Sequence, residues 1–205
     1  MYRAFDNSAK KAASGRSHFS PWTFVLLCIV LVSGVPLSAQ AQSAADEYDV
    51  KAAFLFHFAQ FIDWPPGVLD SRDNSLRLCI LDDEPHRQEL QNTIEGKLSG
   101  GRVFHVLPIS QPQEIKDCSI LFLSRGEARR QAAIVRSIRG MPVLTVGETT
   151  NFLSDGGMIR FHLEEGRIRF DINLQAAESS HLKIGSRLLL LATSVTRTDV
   201  ADRGR

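Results

Sequence analysis

The sequence predicts an α/β protein: a three-layer, Rossmann-like sandwich with a mixed sheet, flanking helices and an antiparallel hairpin towards the C-terminus. Three observations carry this. Between residues 76 and 146, short apolar runs alternate with helix-period segments, as in strands joined by crossover helices. One run, residues 118–123 (CSILFL), is almost wholly apolar, which marks a central strand covered on both faces. Residues 158–173 (MIRFHLEEGRIRFDIN) then switch to strict alternation, the period of a half-buried strand pair.

The first element is expected over residues 46–63. Val50, Phe54, Phe58, Phe61 and Ile62 recur near a 3.6 spacing, and Ala52, Ala53, Leu55, Phe56 and Ala59 widen the apolar side almost all round. Residues 51–66 (KAAFLFHFAQFIDWPP) gather four phenylalanines and a tryptophan in a chain that is 8% aromatic. A helix apolar on so many sides needs cover from more than one direction. A second protein chain is one candidate cover, which makes Phe56 a candidate partner contact. Trp64-Pro65-Pro66 ends the helix, because proline cannot continue the hydrogen-bond ladder.

A strand follows at 76–81, and Asp82-Asp83-Glu84-Pro85 opens a helix to about Ile94. Gly100-Gly101 turns into a strand at 102–107. Ser124 and Glu127 have the spacing of a capping box, so a helix is expected from there to about Arg139, stopped by Gly140. A strand at 141–146 comes next. In the hairpin, Glu165-Gly166 is placed as a two-residue turn. Leu163 then faces Ile168, Phe161 faces Phe170 and Ile159 faces Ile172. On the other face Glu164 meets Arg167, His162 meets Arg169 and Arg160 meets Asp171. A slip of one residue would destroy both faces at once. A last helix is expected from Leu182 to Val195, with 196–205 as a flexible tail.

The N-terminus reads as an export signal. Lys10, Lys11 and Arg16 precede an apolar run at 22–32, and Ala39-Gln40-Ala41 has the small-x-small form of a cleavage site. The expected organisation is a cleaved signal peptide at 1–41 and a single domain at 42–195. The rival reading is an uncleaved anchor. Cys28 lacks the small preceding residue of a lipidation site. Cleavage removes Arg3, Lys10, Lys11, Arg16 and Asp6 from 24 basic and 23 acidic residues, so the remaining net charge is about −2. With no basic stripe or Lys/Arg run, nothing favours nucleic acid. Cys28 leaves with the signal, and Cys79 and Cys118 remain. An even pair in an exported chain reads as a disulfide; the alternative is two separate buried thiols on strand patterns.

The search for chemistry returns little. Asp82-Asp83-Glu84-Pro85-His86 follows a strand and contains hard-metal donors, but the same residues are what a helix start calls for. His57 and His105 have no second ligand at metal spacing. Ser124 lies outside a G-x-S-x-G elbow. Gly156-Gly157 lacks the following lysine and helix of a phosphate loop and reads as a turn into the hairpin. No catalytic residue, metal or cofactor is assigned. The hairpin's polar face offers more. Arg160, His162, Arg167 and Arg169 stand together, answered by Glu164 and Asp171. One reading is a solvated, self-neutralised face. The other makes Arg160, His162, Arg167, Arg169 and Asp171 a small-anion site or a contact for an acidic partner surface.

The run KAAFLFHFAQFIDWP, then LCIL, CSILFLS, VLTV, GGMIRFHLEEGRIRFDIN and LKIGSRLLLLA, resembles in order the YfiR family of bacterial periplasmic proteins. The resemblance spans residues 50–192. It rests most on Gly156-Gly157-Met158-Ile159, on Arg169-Phe170-x-Ile172-Asn173 and on Leu182-Lys183-Ile184. It implies a small dimeric α/β protein without catalytic activity. Such a protein holds an inner-membrane diguanylate cyclase inactive from the periplasmic side, and an outer-membrane lipoprotein releases the inhibition. Biofilm formation and motility would be the outputs. Cys79 and Cys118 match the family's first cysteine pair. Relatives often have Cys-His at Cys118-Ser119 and Ile-Ser-Ser at Ile184-Gly185-Ser186. The second cysteine pair that some carry near the glycine turn is absent here. The competing expectations are a periplasmic module for a small anion or metabolite, and a hydrolase.

Overall fold

A computed structural model describes residues 38–69, 74–81 and 86–197, with side chains from Glu47 onward. The chain divides into two compact units, Met1–Ala39 and Gln40–Arg205; the sheet and its layers belong to the second. Apart from residues 38–41, the expected export signal lies outside the described residues. So do Asp82-Asp83-Glu84-Pro85 and all of the expected tail beyond Arg197.

The elements are α1 (Ser38–Phe58), β1 (Ile62–Asp63), β2 (Ser75–Leu81), α2 (Arg87–Ile94), β3 (Leu98–Ser99), β4 (Arg102–Ile109), β5 (Ile120–Leu123), α3 (Gln131–Ser137), β6 (Leu144–Gly147), β7 (Ile159–Glu164), β8 (Arg167–Asn173), α4 (Leu174–Ser179), β9 (Lys183–Ile184), α5 (Ser186–Leu191) and β10 (Ser194–Thr196). Eight strands form one mixed sheet in the order β10-β8-β7-β6-β5-β2-β4-β3. The run β4-β2-β5-β6-β7 is parallel throughout. In chain order that is 2-1-3-4-5, a doubly wound arrangement with its switch point between β2 and β5. β1 and β9 form a separate antiparallel pair.

Successive strand residues point to opposite faces, so each face acquires its own core. Leu78, Ile80, Phe104, Ile120, Phe122 and Val146 face α1 and α2. Cys79, Leu81, Leu121 and Leu123 face α3 and the 3-10 turn Pro112–Asp117. The expected three layers are present. The aromatic helix is covered by the sheet itself. Phe54 and Phe58 pack on Phe161 and Phe170 with ring centroids 5.0–5.9 Å apart, and Phe56 packs on Phe104 at 5.7 Å.

The hairpin pairs in the register read from the sequence, all six pairs included. Glu165 and Gly166 both have positive φ, +50° and +73°. That is the conformation of a type I′ turn, which Asn-Gly fits better than Glu-Gly. The twin glycine has two separate jobs. Gly156 turns the chain at φ +104°. At Gly157 an added Cβ would sit 2.2 Å from the ring of Phe152, and at Gly147 2.3 Å from the same ring. The fully buried Phe152 therefore lies clasped between two glycines.

Cys79 and Cys118 are joined, with Cα atoms 5.8 Å apart at a sequence separation of 39. The parallel register places Cys79 beside Leu121, so a straight β5 would carry Cys118 past it. Instead the chain reaches β5 from the 3-10 turn on the α3 side, where Ile115 and both cysteines share one core.

Three expectations are corrected. The first helix passes through a 3-10 turn, Ala59–Phe61, and yields to β1 before Trp64. The capping box does not form: Ser124 makes no side-chain cap, and Glu127 pairs with Arg130 (3.0 Å). The α-helix there starts only at Gln131. The last helix, read as Leu182 to Val195, is broken into β9, α5 and β10. Thr196, assigned to the tail, belongs to β10, which lies parallel to β8.

Loss of the bridge removes a constraint worth about 4 kcal/mol in the unfolded chain for a loop of this size. Cys79→Ser is expected to lower stability in urea melts by more than Phe56→Ala, because Phe56 is only partly buried. Equal losses would show that the bridge contributes nothing. Glu165→Asn is expected to raise stability by about 0.5–1 kcal/mol by relieving the positive φ.

Candidate functional site

Three places collect the side chains that could act. The first is the polar face of the hairpin. Asp171, 4% exposed, is its hub. Arg160 Nη2 donates to Asp171 Oδ2 (2.5 Å) while Nη1 donates to the carbonyl of Thr150 (2.9 Å). His162 Nδ1 lies 3.3 Å from Asp171 Oδ2, and the Ser194 hydroxyl donates to Asp171 Oδ1 (2.7 Å). Arg160 and Asp171 are thus engaged with each other, and Asp171 ties β10 to the sheet. The carboxylate stands between the serine and the histidine. An activated serine needs the imidazole in the middle, so this is not a nucleophile's arrangement. Arg167 and Arg169 stay exposed. Arg169 Nε is 3.7 Å from Glu164 Oε2, a surface pair worth about 0–1 kcal/mol. Phe56 lies on another element, half-buried against Phe104 and His57. The structure therefore divides the six predicted contact residues between an internal pin (Arg160, Asp171, with His162), an exposed pair (Arg167, Arg169) and a packing ring (Phe56).

The second place is a groove of about 690 Å³ between the α1 segment carrying Val50 and Phe54 and the hairpin tip carrying Leu163 and Ile168. Glu47 and Arg167 stand in its lining, one of each charge. The hairpin's apolar face runs on past the end of the α1 contact. Val50 and Leu163 are left 45% and 48% exposed.

The third place lies at the carboxyl ends of the parallel strands, by the switch point where open α/β sheets usually hold ligands. Here side chains of α1 reach the residue that follows β6. Glu148, directly after β6, accepts from the Tyr48 hydroxyl (3.1 Å) and from the Arg125 backbone N–H (3.1 Å). Its other oxygen pairs with the Lys51 ammonium; both side chains are 1% exposed. Lys51 also meets Glu47 (2.5 Å) and sits 4.0 Å over the Tyr48 ring. His86 stacks on that ring at 3.8 Å. The sequence reading missed this centre. Its one visible signal is a lysine four residues after a glutamate in an otherwise apolar helix. His105, which the sequence left as a lone histidine, bonds Glu95 at 2.9 Å on the surface. Among the described residues no cluster of three or more His, Cys, Asp or Glu is placed to hold a metal.

The sequence model of the family described as YfiR/HmsC-like matches residues 48–193. This chain belongs to the YfiR/HmsC-like family. Membership implies a periplasmic regulator of diguanylate cyclase signalling. Among solved structures it is similar to the ABC domain in complex with L-Trp from Streptococcus pneumonia. The identity is 12% and the TM-score 0.46, with 61% of this chain and 56% of that one covered. It is also similar to a conserved domain protein from Vibrio cholerae O1 biovar El Tor str. N16961, at 13% identity and TM-score 0.44, covering 63% and 57%. In both, the chain spans little more than half the length of the structure it matches. Within the YfiR/HmsC-like fold, the glycine turn of the resemblance motif is explained by Phe152, and its asparagine by Asn173. The Asn173 side chain caps α4 through Ala176 N–H (3.1 Å) and donates to the Leu153 carbonyl (3.2 Å).

Lys51→Met strands Glu148 without its buried counter-charge and is expected to cost about 3–5 kcal/mol in denaturant melts. Lys51→Met combined with Glu148→Leu is expected to recover a large part of that loss. A double variant no more stable than the single one would show that the pair is not the reason.

Proposed function

We propose that this chain is a periplasmic regulatory binding protein that represses an inner-membrane diguanylate cyclase. It would do so by touching the cyclase's periplasmic domain, and would thereby restrain biofilm formation and favour motility. Family membership across residues 48–193 is the observation that carries the reading. The expected export signal at 1–41 is consistent with that compartment. Action by contact rather than turnover is supported by Tyr48, Lys51 and Glu148, which engage one another beside the customary substrate position of such a sheet.

The groove between α1 and the hairpin tip is the surface we assign to the cyclase. Its exposed Val50 and Leu163 offer apolar area at the centre, and Glu47 and Arg167 supply orienting charge at the rim. Arg169 and Glu164 extend that rim. An outer-membrane lipoprotein, the releasing partner implied by the family resemblance, would compete for the same exposed surface. The homodimer contact is assigned elsewhere, to the sheet edge. β10 is the last strand there, and Leu190, Leu191 and Val195 beside it are 85%, 64% and 43% exposed. An open edge flanked by apolar side chains invites a second copy.

The test is capture from detergent-solubilised membranes under oxidising conditions. The chain is expected to retain a membrane protein bearing a diguanylate cyclase domain. Leu163→Asp should reduce that capture by about tenfold or more without changing the melt. Recovery of no membrane signalling protein would sink the proposal, and equal capture by Leu163→Asp would remove the groove from it. In light scattering the protein should run as a dimer, and Leu190→Glu should shift it to monomer.

A further inference from the structure

Residues 119–147 hold five arginines and a single acid, Glu127, in a chain whose formal net charge is only +1. Spaced apart, these arginines form no long basic run in the sequence. Folding gathers them. The stretch runs through β5, α3 and β6, and α3 covers the sheet face opposite α1. Ile134, Val135 and Ile138 are buried beneath α3 and the turns that flank it, whereas Arg129, Ala133, Arg136 and Arg139 are exposed. Positions three or four apart stay on one face of a helical path, so the three arginines share the outer side of the layer.

Arg130 is answered by Glu127 at 3.0 Å, and Arg125 stands 3.7 Å from Glu47. Among the described residues no carboxylate pairs with Arg129, Arg136 or Arg139. Arg136 Nε donates to the Ala132 carbonyl of its own helix (2.9 Å), which leaves its charge uncompensated. The acids of the same layer lie on other elements. Glu114 Oε2 accepts from the Ser110 N–H (3.0 Å), and Asp155 Oδ2 accepts from Gln131 Nε2 (2.8 Å). Asp117 is exposed on the 3-10 turn, next in the chain to the exposed Lys116. Beside the helix an open groove of about 420 Å³ is lined by Pro112, Lys116, Ser137, Ile138 and Met141, and Met141 is 37% exposed.

We propose that this face rests on an anionic phospholipid surface. Three guanidiniums on one side match a plane of phosphates, which attracts each basic side chain without requiring one fixed docking geometry. Met141 and the groove beside it place apolar surface at the headgroup boundary. Between the arginines, alanine, serine and glycine stand exposed, so the face offers charge without the large aromatic anchor typical of a protein partner's hot spot. Because α3 and α1 lie on opposite faces of the sheet, the groove assigned to the cyclase stays open while lipid is bound. Lipid contact at α3 needs no cyclase, so it is separable from the repression proposed above.

Flotation with vesicles of phosphatidylglycerol and phosphatidylcholine, against vesicles of phosphatidylcholine alone, is the test. Every chain compared carries the same N-terminus, so residues 1–41 contribute equally throughout. At low salt the chain is expected to bind the anionic vesicles at least about a hundredfold more tightly than the neutral ones, as three surface arginines would provide. That preference should vanish at about 1 M salt, where screening acts within a few ångströms. Arg129→Gln, Arg136→Gln and Arg139→Gln combined should remove most of it without moving the melt. The same three positions changed to lysine should keep it, because charge rather than a planar fork is recognised. Arg167→Gln with Arg169→Gln, on the hairpin, should leave vesicle binding in place. No preference for anionic vesicles, or a triple glutamine variant that binds them as the parent does, would overturn the assignment. Loss of binding in the lysine variant, or equally tight retention on soluble polyglutamate, would overturn it in favour of an acidic protein surface.

Discussion

The fold depends on one contact: the aromatic flank of α1 laid across a face of the sheet. Phe56 reaches β4 through Phe104, Tyr48 comes within 6.4 Å of Phe122 on β5, and Phe54 and Phe58 meet Phe161 and Phe170 on β7 and β8. Aliphatic side chains on one helix would not span that width. Rings bury roughly 150–250 Å² each and can be aimed at different strands from adjacent turns. The density of phenylalanine between residues 54 and 61 is therefore a consequence of how much sheet a single helix must cover. α2, α4 and α5 complete the layer, through residues such as Leu90, Ile94, Ala177 and Leu188.

The same placement decides what the molecule can do. A helix pressed that far along the sheet brings Tyr48 and Lys51 to the carboxyl ends of β5 and β6. Glu148 is drawn into a buried charge centre there. These side chains sit beside the crevice in which a doubly wound sheet ordinarily receives its ligand. Among the described residues, the groove by the hairpin tip and the sheet edge at β10 are surfaces open to a partner. The opposite face is held by different means. It has a shorter helix, α3, a disulfide from β2 to the approach of β5, and a phenylalanine locked between two glycines.

What the sequence made legible follows from the range of the interactions concerned. The hairpin could be read to the residue because its period is two and its faces are chemically opposite, so only one register satisfies both. The bridge was legible from parity and compartment. The capping box failed because Glu127 had a better partner in Arg130 than the backbone of Ser124, and the helix began several residues later. The leucine-rich C-terminus looked helical to Val195. Yet Ser194 is claimed by Asp171 on a neighbouring strand, and the backbone extends to pair with β8. Lys51 and Glu148 could not be joined by local pattern at all, since the partners of this centre lie about one hundred residues apart, as Tyr48 and Glu148 do. Phe56 illustrates the converse. Its composition suggested an external contact, but a ring that reads as surplus on a helical wheel is needed once the sheet's width is known.

The groove and the cavity lined by Ala59, Ile62 and Trp64 draw on one stretch of chain, with Val50 and Phe54 of α1 at the groove and the residues just after α1 in the cavity wall. A signal passing between them would have to move α1 along the sheet. That motion would unseat Phe58 from Phe161 and Phe170 and pull Lys51 from Glu148, contacts that are buried to within 1% or so of complete. Close-packed seams of this kind shift between discrete arrangements or not at all, and here Lys51 holds Glu47 and Glu148 together. The physical expectation is therefore that the cavity and the groove act independently.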